Sequence, residues 1–340
     1  MKKLARSMLG IVCALLLVAT EGHAQTKTGP TIVREGFVIG ALGSFRSSLP
    51  EVGTKFGLKF EAKDFNDSTA ALRALDQGEI DIANTTVQHM VRAITEGMDV
   101  VWVIGADGGN NVLVARKGFN VPSGDSAALK AIVDRRKATN PVSIAVPTGS
   151  MQHAKLIAYL KNAHIDPEHD VKIVNVGFAN QPRALEAGEV DMAMTLAPFG
   201  ALAIQKNGAS LVEHLYDGIY GKQEIGFIVQ RKVIEKNPEL VQRIVDAHVS
   251  AMKLFTVSKD KQVEYEKKYS RFPGPVIDMT ERQFIQYDWR TNVVDLKLMA
   301  REMQALGWAK EDVSAQIDKA VDLTFLSKAT GQPVEALNHW

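Results

Sequence analysis

The groups in this sequence with chemistry to offer are one guanidinium, four clusters of hydroxyls and amides, and a few aromatic rings. Ser44, Phe45 and Arg46 follow the apolar run 37–42, and Asn84, Thr85 and Thr86 follow the run 80–83. Thr148, Gly149, Ser150 and Met151 follow 142–146, while Thr195, Pro198 and Phe199 follow 190–194. Arg46 can fork onto a carboxylate, sulfonate or phosphate; a solvated loop charge is its alternative reading. Thr86, Thr148 and Ser150 stand where helices are expected to begin, and hydroxyls beside free backbone N–H groups at a helix start make an anion cradle. The same residues also serve as plain caps. Phe199 is a candidate aromatic wall, with core packing as the alternative, and Trp289 could close one side of the cleft.

Other chemistry is poorly served. Nucleophilic catalysis needs a base beside the nucleophile and a third group that orients the base. Ser150 and His153 share one helix start, and no third member accompanies them. The turn 147–151 has neither the Gly-Lys-Ser/Thr of a P-loop nor the second Gly of a nucleophile elbow. His164, Asp166, Glu168, His169 and Asp170 could ligate a metal, but histidines five apart in a Pro-interrupted stretch lack zinc spacing. A solvated turn is expected there. The sequence predicts no catalytic residue, no metal and no cofactor.

What must position these groups is an α/β frame. RALDQGEIDIA at 73–83 recurs as RALEAGEVDMA at 183–193, with seven of eleven positions identical. Each copy reads as a helix end, a Gly at the left-handed stop position, and a short buried strand. Copies 110 residues apart exceed a solenoid period of about 20–50 residues and suit two similar lobes of domain size. A cleft between them is expected.

Around the repeats, strands are predicted at 37–42, 58–65, 100–104, 112–115, 142–146, 171–176 and 225–229. The cluster 107–111 reads as a turn, and 112–115 as a strand crossing between lobes. Helices are predicted over 127–138, from 151 through Leu160, and from an Asn237 cap with Pro238 at N1. On that last helix His248 falls on the buried stripe as an interior histidine. A capping box is expected at 280–283, and a helical tail from Arg290 to a Gly307 stop, packed on the first lobe.

Composition narrows the class. With 46% hydrophobic and 23% charged residues over 340 positions, the chain can bury more than one core. Lys2, Lys3 and Arg6 precede an apolar run over 11–19, and Gly22, His23 and Ala24 end in the small-residue pattern of a signal peptidase site. Export with cleavage near Ala24/Gln25 is expected. Removing 1–24 takes away those three cations and Glu21, leaving a formal charge of −1, and takes away Cys13, the sole cysteine. No disulfide follows, and the absence of a basic block argues against nucleic acid.

In joint order, these motifs resemble the periplasmic substrate-binding proteins of nitrate, sulfonate and taurine transporters powered by an ATP-binding cassette. They are the exported leader, RALDQGEIDIA, VPTGSMQH, RALEAGEVDMA with Pro198, and FIVQRKVIEKNPELV. The resemblance implies a type II binding-protein fold of α/β class, each lobe a doubly wound mixed sheet with flanking helices, joined by two crossing strands. Lobe 1 would be 25–111 with 227–340, and lobe 2 would be 112–226. A monomer in the periplasm would trap a small solute by hinge closure and deliver it to a membrane permease. The ligand loops would then fall on Ser44–Arg46, Asn84–Thr86, Thr148–Met151 and Thr195–Phe199, with Trp289 beside the cleft. Arg46 and the helix starts favour an anion. Enzymes on the same fold, of the kind that make a thiamine pyrimidine precursor, carry a Cys-rich motif that this chain lacks. A sensory receptor for the same solute is a further alternative.

Overall fold

The computed structural model describes residues 29–38, 44–65, 68–216 and 221–339, with the backbone alone for 44–48. Among the described residues, eleven strands form two mixed sheets. They are β1 (Thr31–Val38), β2 (Leu58–Phe65), β3 (Ile82–Thr86), β4 (Val100–Gly108), β5 (Asn111–Ala115), β6 (Val142–Val146), β7 (Val171–Asn175), β8 (Met192–Leu196), β9 (Ser210–His214), β10 (Ile225–Gln230) and β11 (Gln286–Tyr287). The first sheet runs β2-β1-β3-β10-β4-β11 and the second β7-β6-β8-β5-β9. Apart from β11 the two orders correspond strand for strand. In each, three parallel strands meet an antiparallel fourth, β10 or β5. The chain passes from β4 into β5 and returns from β9 into β10, so each sheet is completed by a crossing strand. Both crossing strands are buried along their whole length.

Helices α1 (Ser44–Gly53), α2 (Ser68–Asp76) and α3 (Val87–Thr95) belong to the first pass. The second sheet carries α4 (Ser126–Arg136), α5 (Met151–Asn162), α6 (Gln181–Glu186) and α7 (Ala197–Asn207). The return comprises α8 (Arg231–Lys236), α9 (Pro238–Phe255), α10 (Lys259–Tyr269), α11 (Gly274–Gln283), α12 (Val293–Ala305), α13 (Ser314–Ile317), α14 (Thr324–Thr330) and α15 (Val334–Leu337). The Asn237 side chain caps α9 by accepting from Leu240 N at 3.0 Å, and Val241, Val245, Met252 and Phe255 form its buried stripe. His248 on that stripe is held by Ile244 O and Glu35 Oε1, each at 2.8 Å.

The repeat builds two matching units. Gly78 and Gly188 sit at φ 72° and 71°, closing α2 and α6 in the left-handed conformation that glycine adopts without strain. Asp81 N donates to Arg34 O at 2.8 Å while its carboxylate accepts from Arg34 N. Asp191 N donates to Ser143 O at 3.0 Å while its carboxylate accepts from Ser143 N. Each aspartate therefore clips its repeat to the corresponding strand of its own sheet, β1 or β6.

Among the described residues, four apolar clusters fill the layers. Val33, Phe227 and Val245 belong to the one that packs α9 on the first sheet. Leu72, Met90, Trp102 and Met299 share another with Met151, Ala154 and Ala158 of α5, so the two halves touch through side chains of both. Burying a methionine such as Met151 contributes about 1.5–3 kcal/mol to that contact. The other two clusters hold Leu113, Ile144 and Met192, and Val112, Leu185 and Val190.

Four expectations change. The first strand is Thr31–Val38 rather than 37–42, and 39–43 lie outside the described residues. The turn 107–111 shrinks to Gly109 and Asn110, because β4 runs on to Gly108 and β5 starts at Asn111. The capping box at 280–283 is absent: Thr280 lies inside α11, where its hydroxyl donates to Val276 O at 2.7 Å. The tail does not pack on the first sheet alone, since Leu296, Met299 and Met303 share with Leu72 and Trp102 a cluster that also takes in Met151, Ala154 and Ala158 of α5.

Candidate functional site

Two helix starts, one from each sheet, meet at a cavity of about 320 Å³. Strand β3 delivers the first. Thr86 stays extended at φ −82°, ψ 156°, and its Oγ1 accepts from His89 N at 3.1 Å as the cap of α3. Strand β6 delivers the second through Pro147, Thr148 and Gly149. Ser150, at φ −89°, ψ 167°, caps α5 by accepting from His153 N at 3.2 Å. Both starts lie beyond the carboxyl ends of parallel strands, where open α/β sheets hold ligands. Gln88 ties them together by donating from Nε2 to Gly149 O at 2.5 Å.

The crossing segments contribute Asn110 and Glu224. The Glu224 carboxylate accepts from Lys155 Nζ at 2.6 Å, from Asn110 N at 2.8 Å and from Asn111 Nδ2. Lys155 also donates to Leu215 O at 3.2 Å. Nearby Asp107 is pushed well above the usual carboxylate range, by burial first and then by the charges of Glu224 and Glu281. A hydrogen bond from Asn110 Nδ2 at 2.5 Å opposes that shift.

Val38, Phe178, Leu196 and Ile225 supply apolar wall. Phe178 stacks on Phe199 with centroids 6.4 Å apart, and Phe199 meets Phe272 edge-on at 5.2 Å. Arg92 lines the cavity one turn beyond Gln88 and pairs with Glu96 Oε1 at 2.8 Å. Among the described residues, two buried polar atoms at the cavity lack a hydrogen-bond partner, Thr85 Oγ1 and Gln88 Oε1. Buried polar atoms are ordinarily paired, so these two stand out in the cavity wall.

Of the residues expected at the site, Asn84, Thr85, Thr86, Thr148, Gly149, Ser150 and Met151 line this one cavity. Ser44, Phe45 and Arg46 form the first turn of α1 instead of a loop, and their side chains lie outside the described residues. Thr195 is buried one residue short of the lining position, which Leu196 takes, and Pro198 is buried in the first turn of α7. Phe199 backs the wall that Phe178 presents. Trp289 is elsewhere: it packs on the α9 cluster beneath the first sheet, with Lys253 Nζ 5.6 Å from its ring centre. Its carbonyl accepts from Gly105 N at 2.9 Å, which fixes it to β4 away from the cavity.

Sequence reasoning missed Gln88, His89, Arg92, Glu224 and Phe178. Gln88 and Arg92 were within reach of it, being four apart on the helix that the Asn84–Thr86 cluster starts. Phe178 follows β7 as the hydroxyl clusters follow β3 and β6.

The arrangement suits holding a molecule. Ser150 Oγ donates to Pro147 O at 2.6 Å, and His153 Nδ1 accepts from Gly149 N at 3.1 Å, so each side chain is engaged with backbone and the two side chains do not bond to each other. His169 pairs with Asp166 at 2.9 Å in an exposed turn. Among the described residues no three His, Cys, Asp or Glu side chains converge as a metal site. No helix among them is long and apolar enough to cross a membrane.

Comparison with solved structures shows the periplasmic binding protein fold. The nitrate-binding protein of Synechocystis superposes with a TM-score of 0.73 at 15% identity, covering 91% of each chain. The aliphatic sulphonate binding protein of Escherichia coli superposes with a TM-score of 0.67 at 18% identity, covering 85% of this chain and 91% of that one. In sequence, the chain is 26% identical over 232 residues to a Brachyspira hyodysenteriae protein named as an ABC transporter periplasmic binding protein. That match covers 63% of this chain and 62% of the relative's length. The NMT1-like family model matches residues 33–266, and the chain belongs to that family.

Proposed function

We propose that this protein is an extracytoplasmic solute-binding protein, which captures a small anionic organic solute between two lobes and delivers it to an ABC permease in the membrane. The observation that carries the reading is the meeting of two helix starts, one from each sheet, at a cavity where Thr85 Oγ1 and Gln88 Oε1 are buried without partners. Strand membership supports two lobes close to 25–111 with 227–340 and 112–226, with Asn111 going to the second and Ile225 and Gly226 to the first. The crossing strands β5 and β10 supply the hinge, and a solute closes it by binding the closed state more tightly than the open one. The helix starts favour an anion. A monomer in the periplasm, released from its leader near Ala24/Gln25, completes the reading. Binding without chemistry is supported by the engagement of Ser150 and His153 with backbone.

The test is a thermal-shift screen of protein unfolded and refolded to strip bound solute. The panel holds nitrate, aliphatic sulfonates, aliphatic and aromatic carboxylates, and thiamine-type pyrimidines. A solute at about 1,000 times its Kd stabilises by about 4 kcal/mol. One anion class should shift the melting temperature. Response to neutral or cationic solutes only would remove the anion, and silence from a cooperatively refolding protein would sink the reading.

A further inference from the structure

We propose that the solute carries a neutral hydrogen-bond donor, a hydroxyl or an amide N–H, in addition to its anionic group, and that Gln88 selects for it. The inference rests on the solute-binding reading above and deepens it. Gln88 is 3% exposed, and its amide is oriented by the bond from Nε2 to Gly149 O. Turned over, the amide would set two carbonyl oxygens against each other, so the network fixes Oε1 as the end without a partner. A carbonyl oxygen accepts and cannot donate. No oxygen of nitrate, a sulfonate or an ionised carboxylate has a proton to give it, and bound next to Gln88 such an anion would leave Oε1 as unpaired as before, or repel it.

The rest of the cavity has the opposite character. The starts of α3 and α5 present donors, and Thr85 Oγ1, 2% exposed and unpartnered, has a proton to give. An acceptor among donors calls for a molecule with two kinds of group. An ammonium is the poorer choice of donor, because the acidic residue lining the cavity among the described residues is Glu224, whose charge is already met by Lys155 at 2.6 Å. A cation there would face Lys155, with no free carboxylate among the described lining residues to balance it. Hydroxy acids, hydroxysulfonates and amide-bearing acids fit this description, whereas simple inorganic anions and plain alkanesulfonates do not.

The experiment is calorimetric titration of the purified protein with matched triplets that differ in one group: hydroxyl, methyl ether and hydrogen. Suitable triplets are glycolate, methoxyacetate and acetate; 3-hydroxy-, 3-methoxy- and unsubstituted propanesulfonate; and 4-hydroxy-, 4-methoxy- and unsubstituted benzoate. Glycine is added as the ammonium counterpart of glycolate. In whichever triplet binds, the hydroxyl member should bind at least about tenfold more tightly than both others, since a site built to pair a polar group rejects analogues that lack it. The unsubstituted member controls for the bulk of the ether. Gln88→Met should bring the three members together while the protein still unfolds cooperatively. Loss of the Gly149 contact alone would weaken all three equally and leave their ratio unchanged. Equal binding within a triplet, a preference that survives Gln88→Met, or tighter binding of glycine than of glycolate overturns the inference and leaves the solute-binding reading standing. Binding of no member by folded protein overturns the inference, and joined to silence in the thermal screen it overturns both.

Discussion

Lys155 Nζ and Glu224 Oε1 stand 2.6 Å apart with both side chains out of water, and they join α5 of the second sheet to the segment that enters β10 of the first. A buried pair of this kind costs most when one member is lost, because the other charge is left uncompensated. Lys155→Met should destabilise the protein by about 3–5 kcal/mol, read from urea unfolding. Adding Glu224→Gln in the same chain should recover part of that loss. Single and double variants of equal stability would mean that the pair is not coupled.

Asp107 sits beside this pair, and burial together with Glu224 and Glu281 pushes its carboxyl well above the usual range. A carboxyl raised in the folded state contributes stability that is complete below its unfolded value of about 3.9 and is lost as pH rises through the folded value. Unfolding free energies measured at pH 5, 6.5 and 8 should therefore fall with pH relative to those of Asp107→Asn. The asparagine keeps an oxygen to accept from Asn110 and never ionises. Parallel curves for the two proteins would show that Asp107 does not carry this dependence.

The repeat, the strand runs and the hydroxyl clusters at strand ends were legible because each is local: a periodicity, a glycine stop, a cap. They gave the two sheets and seven of the cavity's residues. The remainder depends on what distant segments bring together. Gln88 becomes a site residue because Gly149, 61 positions away, fixes its amide. Glu224 reaches the cavity base because Lys155 neutralises it from 69 positions away. Trp289 looked like a cleft aromatic, yet the link from Gly105 to its carbonyl places it beneath the first sheet. Thr195 and Leu196 differ by one strand position, and the pleat turns one inward and the other toward the cavity.

The two aspartates of the repeat occupy equivalent places in unequal surroundings. Asp191 has 7% of its side chain exposed and accepts from Arg116, Arg136 and Ser143. Burial acts to raise its carboxyl, but those donors outweigh it and hold it below the usual range. Asp81 has 24% exposed and pairs with Arg34, itself 40% exposed. Asp191→Asn should cost about 1.5–3 kcal/mol, the range for hydrogen bonds to a charged group, and Asp81→Asn no more than about 1 kcal/mol. Urea denaturation of the two variants decides it, and a larger loss at Asp81 would reverse the ranking of burial over sequence equivalence.

His153 gives the cavity a response to acid. Its ring stacks on Trp308 with centroids 5.4 Å apart, and Nδ1 accepts the Gly149 N–H, which requires that nitrogen to be unprotonated. Burial holds its pKa below the ordinary histidine value. A depressed histidine contributes stability that is present above its unfolded value of about 6.5 and is lost as pH falls through the lower folded value. The direct check is the ring proton resonance of His153 by NMR, assigned with His153→Gln, whose titration midpoint should lie below about 6.5. Stability should then decline in acid more steeply for the native chain than for His153→Gln, whose side-chain oxygen can still accept from Gly149. A midpoint at or above the free-histidine value would mean that the imidazolium is tolerated beside Gly149 and Trp308, and acid would leave this side of the cavity intact.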